Sequence, residues 1–432
     1  MADTAQIEDR ARNRLSDADA LTLVTPSAYA DDRIHDLYRR LRAENPVPYV
    51  ETPGYDPFWC LTRHADIDFV DRNTKLFHTS DRASPLDDKR GVAALIAATG
   101  KPYFVRALTN MDPPDHMKYR LLTQNWFMPS NLRRMEEEMR ASARACVDRM
   151  ANAGGACDFV SEIAVHYPLQ VIMQILGVHA EDYPLMLALT QNIFAPNDAD
   201  MSGKENADEI SYGENMIEQI GAITKYFLEL TEERRVNPRD DLATVLAQAK
   251  VDGEPLGQME LVGYYIIVAT AGHDTTSSST ACAMRALAEA PELLARVKAD
   301  PSLIAGLVEE AIRWETPVKH FMRSAVADIE IGGRHLRAND WIMLCYASGN
   351  RDETVFDDPY SFSIDRKPGK NLAFGSGAHV CLGQHLAKLE MRILFEELLP
   401  RLDAVELAGV PRMIESVFVN GLKSLPIRYA LR

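Results

Sequence analysis

The segment 374–399, FGSGAHVCLGQHLAKLEMRILFEELL, contains the residues of this chain that are best placed to do chemistry. A loop with Gly375 and Gly377 leads to Cys381, and a strongly patterned helix is predicted to start directly after it. A thiolate there would face the positive end of the helix dipole and free backbone N–H groups, which lower the pKa of a thiol. These glycines and Gly383 would let a flat cofactor approach the backbone. A thiolate on haem iron favours cleavage of the O–O bond, so the loop predicts haem-based oxygen chemistry at Cys381.

Other interpretations of Cys381 fit the sequence less well. A lone cysteine is most often a small buried hydrophobe, but the glycine-rich loop and the helix after it argue against that role here. Zinc could bind His379, Cys381 and His385, yet no second Cys or His pair completes a tetrahedral set. The stretch GSGAHV imitates a dinucleotide-binding loop only weakly, because it lacks the third glycine and follows no clear βαβ pattern.

A second chemical signal lies in a long apolar pattern from residue 258 to residue 291, which predicts a central, buried helix. Its midpoint, residues 272–276 (GHDTT), consists of poor helix formers. We expect the Thr275 hydroxyl to donate to the carbonyl of Ala271, four residues earlier, which loosens the helical ladder. A hydroxyl beside a carboxylate in such a groove could hold bound oxygen and pass protons to it. We predict the first role for Thr275 and the proton relay for Asp274, although an isolated DT pair is more often part of a solvated helix.

Composition limits the classes of protein to which this chain can belong. It has 432 residues and no linker-like or repetitive segment, so we expect one domain, residues 1–432, rather than two or three. The net charge of -16 and the lack of a long basic run argue against a nucleic-acid partner.

The polar N-terminus resembles no signal peptide, and the most apolar run, 261–272, is shorter than the roughly 20 residues that span a bilayer. We therefore expect a cytoplasmic protein without membrane contact, and six cysteines without a CxxC pair argue against disulfides.

The elements that must position these residues are mostly helices, as the spacing of apolar residues by three and four indicates. Strands are predicted within 47–62 and 329–347, around PG and GG turns. The segment 191–213 is polar and contains Pro and Gly, so we predict a mobile connection between helices, with a lid as one use. Glu310 and Arg313 in EEAIRW lie three residues apart on a predicted helix, which by itself indicates no more than a surface ion pair.

Taken in this order, these segments resemble the haem-thiolate monooxygenases known as cytochrome P-450. The loop fits FGxGxHxCxG in full, the helix midpoint fits AGxDTT, and EEAIRW fits ExxR. Further matches run from ADDRIHDLYRRLRAENPVPYV through NMDPPDHMKYRLLTQNWF to the C-terminus. Among bacterial members, ATAGHDTTSSS and GAHVCLGQHLAKLEM are most similar to the α-terpineol monooxygenase type. The resemblance implies a mainly α, triangular cytochrome P-450 fold with a small β-sheet region, and haem b between the long helix and the Cys loop.

The resemblance also implies roles for individual residues. Cys381 matches the axial iron ligand, and Asp274 and Thr275 match the oxygen-activating acid and alcohol. The positions that would bind haem, among them the cations and imidazoles for its propionates, are His116, Arg120, Ala271, Arg323, Phe374, Gly375, His379, Cys381 and Gly383. A buried structural group that would hold the Cys loop in place corresponds to Glu310, Arg313 and Arg366. As isolated residues, the propionate partners would more often be surface charges.

Electrons must come from outside this chain, because it shows no convincing flavin or nicotinamide fingerprint and is too short for a fused reductase. The resemblance implies an iron–sulfur ferredoxin, supplied by a flavin-dependent NAD(P)H reductase and docked on the Cys side of the haem. Ferredoxins are usually acidic, so we predict a local basic patch that includes Arg133, Arg134, Lys388 and Arg392. The alternative is that these are scattered, solvated charges. We expect the protein itself to be a monomer.

The substrate is the least determined part of the prediction. Helical spacing places a group of side chains near the face that carries Thr275, and the segment VFVN near the C-terminus could line the same cavity. The pocket residues predicted in this way are Tyr264, Ile267, Val268, Ala271, Val417 and Phe418. Ordinary core packing is the alternative for each. An apolar pocket with few polar groups suits a monoterpenoid or a small aromatic hydrocarbon.

Two other functions are compatible with a haem-thiolate fold. A haem sensor without turnover would not need Asp274 and Thr275. A peroxygenase would use hydrogen peroxide without a reductase, but family members of that kind lack the acid and the alcohol. Because this chain has both residues, we expect dioxygen to be the oxidant and the substrate to be hydroxylated.

Overall fold

The computed structural model describes residues 2–194, 198–202, 211–367 and 369–432. Helices form most of the described chain, as the apolar spacing predicted. Their bounds are α1 (Ala2–Asn13), α2 (Asp17–Val24), α3 (Pro26–Ala30), α4 (Arg33–Glu44), α5 (His64–Arg72), α6 (Lys89–Thr99), α7 (Asp115–Thr123), α8 (Pro129–Asn152), α9 (His166–Leu176), α10 (Tyr183–Phe194), α11 (Ala199–Ser202), α12 (Tyr212–Val236), α13 (Leu242–Gln248), α14 (Gln258–Ala271), α15 (Asp274–Glu289), α16 (Pro291–Ala299), α17 (Ile304–Glu315), α18 (Tyr346–Gly349) and α19 (Gln384–Leu398).

The strands are short and form small sheets. Their bounds are β1 (Tyr49–Val50), β2 (Phe58–Leu61), β3 (Phe77–His78), β4 (Ala156–Asp158), β5 (Lys250–Val251), β6 (Glu254–Pro255), β7 (His320–Ala325), β8 (Ile329–Ile331), β9 (Arg334–Leu336), β10 (Trp341–Cys345), β11 (Leu402–Leu407), β12 (Arg412–Met413), β13 (Leu422–Ser424) and β14 (Pro426–Leu431). The largest sheet has the order β1-β2-β10-β7-β3, and a second has the order β11-β14-β4. The predicted strands within 47–62 and 329–347 are present, and the GG turn between β8 and β9 has positive φ at both glycines.

Helix α14 lies in the main hydrophobic core because it is apolar on nearly every face. Most of its residues from Leu261 to Thr270 are buried. The same core includes apolar side chains of α8, α9, α15, α17 and α19. The core therefore packs the predicted long helix against α9, α17 and α19.

The predicted long helix is divided into α14 and α15, and the division falls at Gly272 and His273. The helix is therefore interrupted at the first two residues of the GHDTT segment, whereas Asp274, Thr275 and Thr276 already belong to α15. Helix α10 extends to Phe194, and α11 occupies 199–202. Residues 195–197 and 203–210 lie outside the described residues, so the mobile connection and the lid within 191–213 stay predictions. Within the described ranges, no helix is long and apolar enough to cross a bilayer.

Candidate active site

The Cys loop places Cys381 three residues before the start of α19. The backbone N–H of Cys381 donates to the carbonyl of Phe374 at 2.8 Å, which closes the loop on itself. The side chain is exposed to a cavity but is enclosed by protein on its other sides. The backbone N–H groups of Gly383 and Gln384 donate to the sulfur. The loop therefore presents one thiol, surrounded by hydrogen-bond donors, to the cavity.

Burial has the largest effect on the pKa of the Cys381 thiol and raises it above the ordinary value. The backbone N–H groups of Gly383 and Gln384 and the positive charge of Arg120 lower the pKa, but by less than burial raises it. The lowered pKa predicted from the helix dipole is therefore wrong for the protein alone, because desolvation of a thiolate outweighs its donors. A metal cation bound to the sulfur would favour the thiolate form.

The glycines before Cys381 are needed for the loop to pack against α5. Gly375 and Gly377 have φ of 64° and 66°. A Cβ atom on Gly377 would lie 2.7 Å from the backbone oxygen of Asp71, and one on Gly375 would lie 3.3 Å from an Asp71 carboxylate oxygen. Gly383 differs, because the only described atom within 4 Å of an added Cβ is the Cys381 sulfur, at 4.0 Å. The first two glycines therefore shape the loop, whereas Gly383 leaves space beside the thiol.

A single cavity brings together the Cys loop, the break between α14 and α15, α7 and β7. The predicted site residues that line it are His116, Arg120, Tyr264, Ile267, Val268, Ala271, Thr275, Arg323, Phe374, Gly375, His379, Cys381 and Gly383. Further apolar lining comes from Leu108, Phe127, Ile172, Ile312, Pro317, Val318, Phe321, Leu382 and Leu386. The predicted iron ligand, alcohol, propionate partners and much of the predicted substrate pocket thus share one space.

The break of the long helix has the predicted hydrogen bond. The Thr275 hydroxyl donates to the carbonyl of Ala271 at 2.8 Å, and Thr275 lines the cavity. A Cβ atom on Gly272 would lie 2.5 Å from the carbonyl oxygen of Val268 and 2.6 Å from Ile172, so only glycine fits between α14 and α9. Asp274 does not line the cavity. Its carboxylate instead lies beside the imidazole of His273, a residue that sequence reasoning noted only as a poor helix former.

Four basic side chains meet at one end of the cavity, as the resemblance implied. The rings of His116 and His379 have centroids 4.1 Å apart, and Arg120 donates to the carbonyl of Val380 at 2.8 Å. Burial lowers the pKa of His116 to about 4 and that of His379 to about 2, so both imidazoles are neutral near pH 7. His116 is buried, yet neither ring nitrogen has a hydrogen-bond partner among the described residues. An unpaired donor beside guanidinium groups fits an anionic ligand such as a carboxylate.

Asp71 belongs to this end of the cavity and was missed by sequence reasoning. Its carboxylate accepts hydrogen bonds from Arg323 at 2.9 Å, the Tyr346 hydroxyl at 2.9 Å and the Ser376 N–H at 3.2 Å. Burial raises its pKa, although Arg323 and Tyr346 oppose that effect. Asp71 thereby orients Arg323 and joins β7 to the Cys loop. The sequence signal that could have identified Asp71 is an acidic residue next to Val70, on the face of α5 that is buried.

Glu310, Arg313 and Arg366 lie together, and the first two are almost fully buried. Glu310 accepts two hydrogen bonds of 2.8 Å from the Arg313 guanidinium and one of 3.0 Å from Arg366. Arg313 also donates to the carbonyl of Asn350 at 2.7 Å. The side-chain oxygen of Asn350 accepts from the N–H of Leu372 at 2.7 Å, two residues before Phe374. This chain of contacts connects α17 to the segment that enters the Cys loop.

The prediction that the segment near the C-terminus lines the substrate pocket is wrong. Val417 and Phe418 do not line the cavity. The N–H of Lys319 donates to the carbonyl of Phe418 at 2.9 Å, and the Phe418 ring lies 5.7 Å from that of Phe321. The C-terminal segment therefore packs behind Phe321, which itself faces the cavity. This placement depends on a contact between distant parts of the chain that local sequence spacing does not reveal.

The net positive charge of the predicted basic patch is smaller than its four basic residues suggest. Lys388 lies 2.6 Å from a carboxylate oxygen of Glu309, and Arg392 lies 3.5 Å from one of Glu136. Arg134 lies 3.6 Å from a carboxylate oxygen of Asp240. Among the described residues, Arg133 has no ion pair. Carboxylates therefore offset three of the four predicted positive charges.

Comparison with known proteins agrees with this arrangement of residues. A family model described as Cytochrome P450 matches residues 88–425. Cytochrome P450-terp from a Pseudomonas species is 45% identical over 97% of this chain and 99% of its own length. Linalool 8-monooxygenase from Pseudomonas putida is 32% identical over 94% of this chain and 98% of its own length. The crystal structure of CYP108D1 from Novosphingobium aromaticivorans has a TM-score of 0.89 and 43% identity, and covers 97% of this chain and 100% of that one.

The ion pair behind the Cys loop leads to a stability prediction. In Glu310→Gln, the buried Arg313 guanidinium would lose its compensating charge, so we expect the free energy of unfolding to fall by about 3 to 5 kcal/mol. Glu289→Gln is the matched control, because Glu289 pairs with Arg285 on the exposed face of α15 and should change the value by less than about 0.5 kcal/mol. Denaturant titration of the three proteins measures the effect, and equal losses in both variants would contradict it.

Proposed function

The chain belongs to the cytochrome P450 family, and we propose that it hydroxylates a monoterpenoid with electrons delivered by an iron–sulfur ferredoxin and its flavin-dependent NAD(P)H reductase. As a member of this family it is a monooxygenase. One observation supports the proposal most. A single cavity is lined by the Cys381 thiol, by Thr275 at the helix break and by an otherwise largely apolar wall.

The residues of the cavity fit haem b, with Cys381 as the iron ligand. Gly383 leaves space beside the thiol, and the unpaired imidazole of His116 with Arg120, Arg323 and His379 would bind the two propionate carboxylates. When bound, haem supplies the iron at which dioxygen binds and is reduced. Phe374 and Ala271 line the same cavity and would contact the faces or edges of the ring.

Thr275 and Asp274 are the residues that we assign to proton handling. The Thr275 hydroxyl gives its own hydrogen to Ala271, so its oxygen is free to accept a hydrogen bond on the cavity side. Asp274 adjoins it at the first position of α15 but is turned away from the cavity. We infer that Thr275 orients a proton donor in the cavity and that Asp274 supplies protons to it.

The apolar wall supports a hydrophobic substrate. Ile267, Val268 and Ala271 from the long helix face the cavity, with Val318 and Phe321 from the segment around β7. Tyr264 also faces it, but its hydroxyl already donates to the carbonyl of Tyr119 and is not a free polar group. Two relatives with similarity over nearly their whole length are named P450-terp and linalool 8-monooxygenase, and the second name gives a monoterpenoid substrate. A monoterpenoid therefore fits the proposal better than a small aromatic hydrocarbon.

We further propose that the chain works as one domain over residues 1–432, as a monomer and in the cytoplasm. Two observations support one domain. The main core joins buried side chains from Val105 to Tyr429, and two further clusters join side chains from the first hundred residues to β7 and β10. The six cysteines are free, which fits a reducing compartment.

Reconstitution tests the proposed reaction. Purified holoprotein with NADH, a flavin reductase and a ferredoxin should hydroxylate α-terpineol or linalool, and these compounds should shift the iron spin state more than small aromatic hydrocarbons do. Hydrogen peroxide without the reductase should give far less product. Equal product with peroxide alone would identify a peroxygenase, and a normal haem spectrum without turnover of any compound would identify a sensor.

The Thr275 hydroxyl can be removed without loss of volume. In Thr275→Val, we expect product per NADH consumed to fall about 10-fold to 100-fold, with the substrate-induced spin shift unchanged, because the cavity loses its proton-orienting oxygen. Thr270→Val is the matched control. The Thr270 hydroxyl makes the same bond to the carbonyl four residues earlier, at 2.6 Å, but does not line the cavity. Equal coupling in both variants would contradict the assigned role.

The ferredoxin surface should depend on the exposed arginines at the start of α8. Arg133→Glu with Arg134→Glu should slow ferredoxin-driven reduction about 10-fold at low salt, and the difference should shrink as salt screens the charges. Arg428→Glu is the control, because Arg428 is also exposed but belongs to β14. A reduction rate and salt dependence equal to those of the parent protein would contradict this docking surface.

A further inference from the structure

We propose that Asp71 holds Arg323 ready for a haem propionate, and that the buried negative charge of Asp71 makes the haem iron harder to reduce. This inference rests on the proposed monooxygenase function, because it concerns haem bound in the cavity beside Cys381. The reaction draws its electrons from a redox partner, so the charges around haem decide how readily those electrons are accepted. Asp71 is a positioning residue in this proposal, since it acts through Arg323 and through its own charge.

The contact between Asp71 and Arg323 is the first observation. Asp71 lies on α5 and Arg323 on β7, and both side chains are buried and line the cavity. Nη2 of Arg323 donates to Oδ1 of Asp71 at 2.9 Å, and Nη1 donates to the carbonyl of Met322 at 2.9 Å. These two bonds fix the guanidinium at the edge of the cavity, where its remaining N–H groups can meet a ligand carboxylate.

Holding Arg323 in advance favours binding of such a carboxylate. An arginine side chain has many rotamers, and restricting it to one of them costs free energy when a ligand binds. The bond to Asp71 restricts Arg323 before haem arrives, so less of that cost falls on the binding step. Arg120 is anchored differently, because it donates to the carbonyl of Val380 and has no carboxylate partner among the described residues. Asp71 therefore gives Arg323 both a fixed direction and a partly neutralised charge.

The hydrogen bonds of Asp71 favour its ionised form. Besides the bond from Arg323, Oδ2 accepts from the Tyr346 hydroxyl at 2.9 Å and from the Ser376 N–H at 3.2 Å. Burial raises the pKa of Asp71, but the positive charge of Arg323 and the other two donors oppose that rise. A proton on either oxygen would have to displace a donor, so we infer that Asp71 carries its negative charge near pH 7.

The charges at this end of the cavity do not balance those of haem. Arg120 and Arg323 carry two positive charges, and Asp71 offsets one of them. His116 and His379 are neutral near pH 7, because burial lowers their pKa to about 4 and about 2. One net positive charge of these lining groups would therefore face the two propionate carboxylates of haem b. A surplus negative charge in a buried site disfavours the addition of an electron to the iron.

The equilibrium between ferric and ferrous iron in the haem-loaded protein tests the effect of the charge. Asp71→Asn keeps the shape of the side chain and should shift this equilibrium about 3-fold to 10-fold towards ferrous iron. A 10-fold shift corresponds to about 59 mV in the reduction potential of a one-electron couple. Arg323→Gln should shift the equilibrium in the opposite direction, because it removes a positive charge. A spectroelectrochemical titration of each protein gives the two potentials.

Asp68→Asn is the matched control for the charge. Asp68 is a second carboxylate of α5, but it pairs with Arg72 at 2.8 Å on a partly exposed surface and does not line the cavity. Solvent screens such a charge, so the ferric–ferrous equilibrium should change by less than about 2-fold.

Release of haem to an excess of apomyoglobin tests the positioning of Arg323. Asp71→Asn and Arg323→Gln should each release haem about 10-fold faster than the parent protein. The double variant should release it no faster than Arg323→Gln alone, because Asp71 acts through Arg323. A general loss of packing would instead make the two effects add. It would also move both potentials in the same direction.

A ferric–ferrous equilibrium in Asp71→Asn that equals the Asp68→Asn value, or lies nearer to ferric iron, would overturn the inference. Additive rates of haem release in the double variant would overturn the positioning of Arg323. If Asp71→Asn does not fold, Arg323→Gln decides, and a potential equal to or above that of the parent would overturn the inference. These results leave the proposed function intact if the parent has the thiolate-type carbon-monoxide spectrum, whereas a parent without that spectrum would overturn both.

Discussion

The site depends on one constraint: the sulfur of Cys381 must face the cavity and be able to bind a cation. Burial raises the pKa of the Cys381 thiol, while two backbone N–H groups and Arg120 oppose that effect without overcoming it. The site is therefore prepared for a thiolate but not complete without a positive partner, which bound iron would provide. The surrounding fold keeps the sulfur in that position. Glycines with positive φ let the loop pack against α5, and the Glu310–Arg313 pair connects α17 through Asn350 to the segment that enters the loop.

The cavity beside this sulfur is divided by polarity. One end carries Arg120, Arg323 and two neutral imidazoles, with Asp71 fixing the direction of Arg323. The rest is largely apolar and is interrupted at the helix break by the Thr275 hydroxyl. A planar cofactor with carboxylates at one edge and a hydrophobic substrate near the break would each meet matching chemistry. At the same break, the Asp274 carboxylate lies beside His273 while Thr275 lines the cavity.

Sequence reasoning succeeded where the chemistry is encoded within a few residues. The loop around Cys381, the bond from Thr275 to Ala271 and the spacing of Glu310 and Arg313 all depend on local geometry, and the structure shows each contact. It failed where a contact joins distant segments. Asp71 reaches Arg323 across 252 positions, Lys388 finds its carboxylate on another helix, and Phe418 packs behind β7 because of a pairing that no local pattern specifies. The thiol pKa was mispredicted for a related reason, since the helix dipole can be inferred from sequence but the extent of burial cannot.

The bond between Cys381 and haem iron is the central claim, and a carbon-monoxide difference spectrum of the reduced holoprotein tests it most directly. A thiolate opposite carbon monoxide shifts the main haem band to a much longer wavelength than a histidine nitrogen does. We predict that long-wavelength band for the parent protein and its loss in Cys381→Ser. A band at the position of nitrogen-ligated haem in the parent protein, or an unchanged spectrum in Cys381→Ser, would contradict the account.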